Sequence, residues 1–399
     1  MSSVHASPEP VGGPLFTRPF RILVGVFAFC ALFMLYRFAA GLGASTGLSD
    51  GYPWGIWIAF DVVTGTALAC GGYAVALLVY VLNKGKFHPL VRPALLTSAL
   101  GYTTAAVAIH LDVGRPWLLY RVPLYVGNWN LNSALFEVAI CVMAYVAVLW
   151  IEVSPALMER FKEGPDGFLK RTSDRLYGPV TKALPWVIAL GLLLPTMHQS
   201  SLGTVMLLTG KRLHPLWHTP ILPLLFLVSC LGMGYAVVVF ESMLSAALLK
   251  RPRETRMLAD LSKTMNAVLV GFVVLRFLDL LVRGRLGLMF AVDRHALFFW
   301  VETVLFLLPV VLLRSARLRE DAGNLFRAAM VMMFAGTLYR FDTYLVAFHP
   351  GSQWTYFPSA PEILITVGVV ALEVIAYVVI VKNFPILSGA PRPAAASAR

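Results

Sequence analysis

Apolar runs of about 20 residues, each long enough to cross a bilayer, recur about ten times along the chain. They fall near 21–42, 54–82, 93–111, 131–152, 181–208, 220–249, 262–282, 295–313, 325–348 and 361–381. In hydrocarbon a spanning segment must satisfy its own backbone N–H and C=O groups, so runs of this length read as helices. The expected fold is therefore all-α, a polytopic membrane bundle of about ten transmembrane helices. Composition points the same way: 58% of residues are hydrophobic and 14% charged, too few charges for a soluble surface. The formal net charge of +12 invites a nucleic-acid reading. The basic residues sit in short loops between spans, however, which explains the charge without nucleic acid.

Residues 1–20 read as a short disordered cytoplasmic tail, 21–382 as the membrane-embedded bundle and 383–399 as a second cytoplasmic tail. The first span is read as a retained helix, because it is longer than a signal h-region and its polar lead is not strongly basic. Lys and Arg concentrate in alternate loops, among them Lys84, Lys86, Arg160, Lys162, Lys250, Arg251, Arg314 and Arg317, while 43–53 and 349–360 hold none. By the positive-inside rule both termini are cytoplasmic, and odd spans run outward.

Charges inside such spans are costly and persist where they line a cavity or have a partner. At 1.5 Å of rise per residue, place in a span gives depth, and Asp61 and Glu137 lie about seven and six residues in from the outer ends of their spans. Glu302, His110, Asp112, His198, Arg276, Asp279, Arg340 and Asp342 fall in the same outer third and read as the walls of one polar site. Arg276 and Asp279 have the i,i+3 spacing of a local ion pair. Tyr102 and Glu373 lie near mid-membrane and Glu241 near the cytoplasmic end. Glu137, Tyr102 and Glu241 thus mark outer, middle and inner depths of a path for protons.

The four cysteines each sit alone in an apolar span, so no iron–sulfur cluster is expected in this chain. No metal-ligand spacing, nucleotide loop or nucleophile elbow occurs. Of eight histidines only His110 and His198 lie in or at the edge of spans at matched depth. His198 sits in PTMHQSSLG, among a proline, serines and a glutamine, which suits a polar pocket better than a porphyrin slot, so no haem is expected.

Several stretches resemble the polysulfide-reductase NrfD-like family, in particular its HybB branch, the membrane subunit of type-2 nickel–iron hydrogenases. They are GYPWGIWIAFDVVTGTALACGGYA (51–74), HPLVRPALL (88–96), DVGRPW (112–117), NLNSALFE (130–137), LPTMHQSSLG (194–203), HPLW (214–217), VLRFLDLL (274–281) and YFPSAPEILI (356–365). The resemblance implies a quinone-binding subunit of a periplasm-facing hydrogenase in a bacterial inner membrane. Its electrons would come from a periplasmic ferredoxin-like iron–sulfur subunit, itself bound to the nickel–iron large and small subunits. Menaquinone or ubiquinone would bind among Trp57, Asp61, His110, Asp112, Arg115 and His198. Protons would move through Tyr102, Glu137 and Glu241, with Arg276 and Glu302 beside them. Rival readings are the quinone-reactive subunit of another respiratory oxidoreductase, a secondary transporter and a b-type cytochrome.

Overall fold

The computed structural model describes residues 8–387, and among them the chain is helical, with one isolated antiparallel bridge between Leu213 and Phe348. The long helices are α1 Arg18–Ala40, α2 Trp57–Val81, α3 Val91–Asp112, α4 Ala134–Lys162 and α5 Phe168–Leu207. They continue as α6 Leu222–Leu248, α7 Thr255–Val282, α8 Arg294–Leu312, α9 Ala322–Phe341 and α10 Ala360–Asn383. Nine of the described helices are long and apolar enough to cross a membrane, so this is an integral membrane protein of helical-bundle class. The tenth expected span, 325–348, is helical as α9 and runs on into a wider turn over Asp342–Val346.

α2 and α6 are the most enclosed helices, and their composition explains why. α2 carries small residues on several faces, and it packs against α3, α6 and α9. The Gly71–Gly72 pair serves two contacts. Gly71 meets Val238 of α6, and the Gly72 N–H donates to Ser98 Oγ of α3 at 2.9 Å. α1 is peripheral: it lies against α10 and leaves Ile22, Phe29, Leu32 and Leu35 exposed, as a lipid-facing helix would.

α2 and α6 approach closely at Gly234, where an added Cβ would lie 2.6 Å from the Cys70 carbonyl oxygen. Backbone cannot yield as a side chain can. Gly234→Ala is expected to part α2 from α6 and cost about 1–3 kcal/mol. A melting curve of the purified protein in detergent checks this, and an unchanged midpoint would mean that the helices separate freely.

Two segments of α2 and the end of α9 widen into π turns. The Gly65 N–H reaches back five residues to Phe60 O, and Leu82 N–H to Leu77 O at 2.9 Å. Each widening shifts the helix face, and such turns collect at functional sites. Asp61 and Asp342 both stand on them.

The disordered-tail reading of 1–20 needs correction over its described part. Glu9 N–H donates to Leu387 O, Val11 N–H to Val381 O and Gly12 N–H to Lys382 O, and Val11 packs on the core. These N–H groups satisfy carbonyls at the end of α10 and just beyond it. Residues 1–7 and 388–399, the remainder of both expected tails, lie outside the described residues.

Candidate functional site

A cavity of about 380 Å³ opens between α2, α3, α6 and α10. Its walls are apolar, with Leu68, Leu100, Val237, Phe240, Val369 and Val374. Three carboxyls interrupt them. Asp61, from the π turn of α2, accepts from Thr366 Oγ1 of α10 at 2.8 Å. Glu373 of α10 accepts from Thr104 Oγ1 of α3 at 3.3 Å. Glu241 of α6 accepts from Tyr377 of α10 at 2.6 Å.

Their α10 levels, Thr366, Glu373 and Tyr377, give the spacing. Seven residues and then four, at 1.5 Å each, set the carboxyls along a line of roughly 16 Å, about half a hydrocarbon core. Each is held by a hydroxyl rather than a cation. A carboxyl in this setting is not locked as an ion pair, and a hydroxyl can serve either of its protonation states. The arrangement can exchange protons at three depths along one apolar chamber.

The other polar residues form separate groups. Tyr102 is fully buried and shares a 2.8 Å hydrogen bond with His198 Nε2, whose Nδ1 faces Leu194 O at 3.0 Å. Gln199 joins this pair to Thr66 and to Arg340, which also donates to Phe226 O. Farther along the bundle Arg276 donates to Glu302 at 2.5 Å, and the Trp217 indole N–H donates to the other oxygen of Glu302 at 3.1 Å.

The single polar site expected from depth is therefore divided, because helix rotation separates residues of equal depth. Among its expected quinone walls, only Asp61 lines the cavity. Trp57 is buried and spends its indole N–H on Glu362 O at 3.1 Å. Asp112 stands at the end of α3 facing Arg37, while His110 and Arg115 are exposed. Of the expected proton residues, Glu241 lines the cavity and Tyr102 does not. Glu137 lies half-exposed in the first turn of α4, and no hydrogen bond links it to Tyr102 or Glu241. The local pair of Arg276 with Asp279 is also corrected. Asp279 instead takes Arg283 at 2.5 Å and Thr219 at 2.6 Å.

Sequence reasoning missed two buried groups. Arg37 of α1 donates to Val113 O at 2.8 Å and to Leu111 O, capping the exposed carbonyls at the end of α3. Glu362 accepts from Gly47 N at 2.7 Å, Ser359 N and the Tyr356 hydroxyl, and so ties the 41–56 segment to α10. The S-x-x-E spacing of Ser359 and Glu362 is a capping-box signal that was readable.

A helical membrane bundle with a carboxyl-lined cavity between its helices defines the general class: an integral membrane protein with ionisable groups inside its apolar spans. The family model for "Polysulphide reductase, NrfD" matches residues 44–347, and the chain belongs to this family. It is 43% identical over 385 residues, 95% of each chain, to the "Probable Ni/Fe-hydrogenase 2 b-type cytochrome subunit" of Escherichia coli (strain K12). It is 32% identical over 183 residues to the "Menaquinone reductase, integral membrane subunit" of Nitratidesulfovibrio vulgaris, covering 45% of this chain and 41% of the other.

The hydrogenase relative's name overturns one expectation. It calls that protein a b-type cytochrome subunit, which points to haem where the sequence reading expected none. A haem of this type needs axial histidines. The described cavity walls carry no histidine, and while His110 gives its Nδ1 to Ala106 O and leaves Nε2 free, His198 has both ring nitrogens engaged, so the two hold one free ring nitrogen where a pair of axial ligands needs two. This geometry does not fit a pair of axial ligands.

Proposed function

We propose that this chain is the quinone-reactive membrane subunit of a respiratory oxidoreductase, and specifically of a nickel–iron hydrogenase complex in a bacterial inner membrane. The observation that carries the reading is the chamber between α2, α3, α6 and α10. Its apolar walls suit an isoprenoid tail, and its carboxyls suit a headgroup that takes up protons as it is reduced. The names of the hydrogenase and menaquinone-reductase relatives support the same class.

In this reading menaquinone or ubiquinone is the substrate, and electrons arrive from a periplasmic ferredoxin-like iron–sulfur subunit docked on the outer loops. The hydrogenase large and small subunits lie beyond it, and both termini of this chain are cytoplasmic. Asp61, held by Thr366, orients a quinone carbonyl and is the proton donor at the outer end. Glu241, held by Tyr377, takes up protons from the cytoplasmic side, and Glu373 stands between. Trp57 fixes the π turn that carries Asp61 by tying it to α10. Tyr102 and His198 are a buried neighbouring pair that stiffens α3 against α5.

A photoreactive quinone incorporated in nanodiscs with the whole complex tests the site. Labelling is expected on α2 around 60–69 and on α10 around 366–378, and an excess of unlabelled quinone should suppress it. Labelling confined to 110–117 would move the site to the exposed end of α3, at His110, Asp112 and Arg115, and sink this reading.

A further inference from the structure

Away from the chamber, three loops converge at the end of the bundle that carries 208–221, 283–293 and 347–359. The backbones of the first and third are already joined, and the Arg283 side chain ties the second to the first through Pro215 O and His218 O. His214 N–H donates to Ala347 O at 2.9 Å, His349 N–H donates to Arg212 O at 2.6 Å, and Leu213 bridges Phe348. At this junction His214, Asp293 and His295 each offer one ligand atom, and all three atoms lie within 4.8 Å of one another. No linear motif announces them, because each of the two elements involved brings only part of the set.

The local geometry has features that packing alone does not require. The His214 and His295 rings stack at 4.1 Å with 8° between their planes. His295 Nε2 is buried without a hydrogen-bond partner, an uncommon state for a ring nitrogen. Asp293 uses Oδ1 to cap α8, by accepting from Ala296 N at 2.8 Å, and its Oδ2 stands 3.9 Å from His295 Nδ1. The neighbouring cation, Arg294, is turned to His349 Nε2 at 2.8 Å.

We propose that His214, His295 and Asp293 form a binding site for one divalent first-row transition ion of the zinc class. Two imidazoles and one carboxylate suit such ions over magnesium or calcium, which prefer all-oxygen shells. Tetrahedral zinc–nitrogen bonds of about 2.0–2.1 Å need the two nitrogens roughly 3.4 Å apart with converging in-plane lone pairs, so the two rings would unstack and turn toward each other as the ion binds. A fourth position stays open to water. The ion would clamp the 208–221 loop to the start of α8. The Trp217 ring lies 5.9 Å from His214 and 6.3 Å from His295, and its indole reaches Glu302, so the clamp sits directly over the buried Arg276–Glu302 pair.

The test uses the full chain purified with a tag that contains no histidine. Cobalt is titrated and its visible absorption followed, and zinc is then added as competitor. One equivalent of cobalt with tetrahedral-type bands, displaced by zinc, is expected. His214→Gln and His295→Gln should abolish the bands. Asp293→Asn, which keeps the helix cap, should weaken binding by roughly a hundredfold, at least the loss seen when only outer-shell partners are removed. His88→Gln, on the loop between α2 and α3, should bind as wild type does. Absence of the bands in the wild type, or their persistence in His214→Gln and His295→Gln, overturns the site. If either histidine variant fails to fold, Asp293→Asn decides: wild-type affinity there counts against the proposal, and weakened binding supports it.

Discussion

Arg276→Met is expected to destabilise the protein strongly, by about 3–5 kcal/mol. The Arg276 and Glu302 side chains are 4% and 0% exposed. The guanidinium lies over the Phe299 ring at 4.3 Å and near Tyr339 and Trp217. Removing it leaves a carboxylate buried with one indole N–H for company, and Asp342 faces the same carboxyl from the end of α9. The penalty arises from the orphaned charge rather than from the lost contact itself. The double variant Arg276→Met with Glu302→Gln should therefore recover much of the loss, because it removes both charges together. Thermal unfolding in detergent of wild type, single and double variants checks the sign of each step. A single variant that melts like wild type would show that lipid or water reaches this pair.

The membrane bundle was legible because the cost of burying unpaired backbone in lipid leaves few alternatives. The same economy made Asp61, Glu241, Arg276 and Glu302 stand out: a charge inside an apolar run must be turned inward. Which charges meet was not legible. Arg276 lies three residues from Asp279 and 26 from Glu302, yet it pairs with Glu302. Sequence spacing reports neighbours on one helix, whereas packing sets the rotation that faces two helices. Trp57 shows the same limit. Its depth suited a quinone wall, but its indole is committed to Glu362 O. Arg37 does not stand out in the sequence, because an arginine near a helix end reads as an interfacial anchor. It is buried because the end of α3 leaves carbonyls that need a donor. Glu373 is marked in the sequence by its depth alone, and only the structure gives it a chamber shared with Asp61 and Glu241.

The second large effect concerns that chamber. Asp61→Asn is expected to lower quinone-dependent turnover of the whole complex by about a hundredfold or more, the range that a positioned acid–base group contributes. Asparagine keeps the shape and can still meet Thr366, but it cannot pass a proton. Glu241→Gln should behave differently. Its carboxyl lies at the far end of the chamber, so headgroup binding should survive while proton supply from that side fails. Glu373→Gln should resemble Glu241→Gln if protons move along the line of carboxyls. The measurement is hydrogen-dependent quinone reduction in proteoliposomes, with a pH dye inside and Glu137→Gln run alongside. Wild-type coupled turnover in Asp61→Asn and Glu373→Gln, with loss in Glu137→Gln, would place the proton path outside the chamber, along the exposed end of α4. The reverse pattern would assign it to Asp61, Glu373 and Glu241, whose hydroxyl partners leave each carboxyl able to gain and lose a proton without breaking an ion pair.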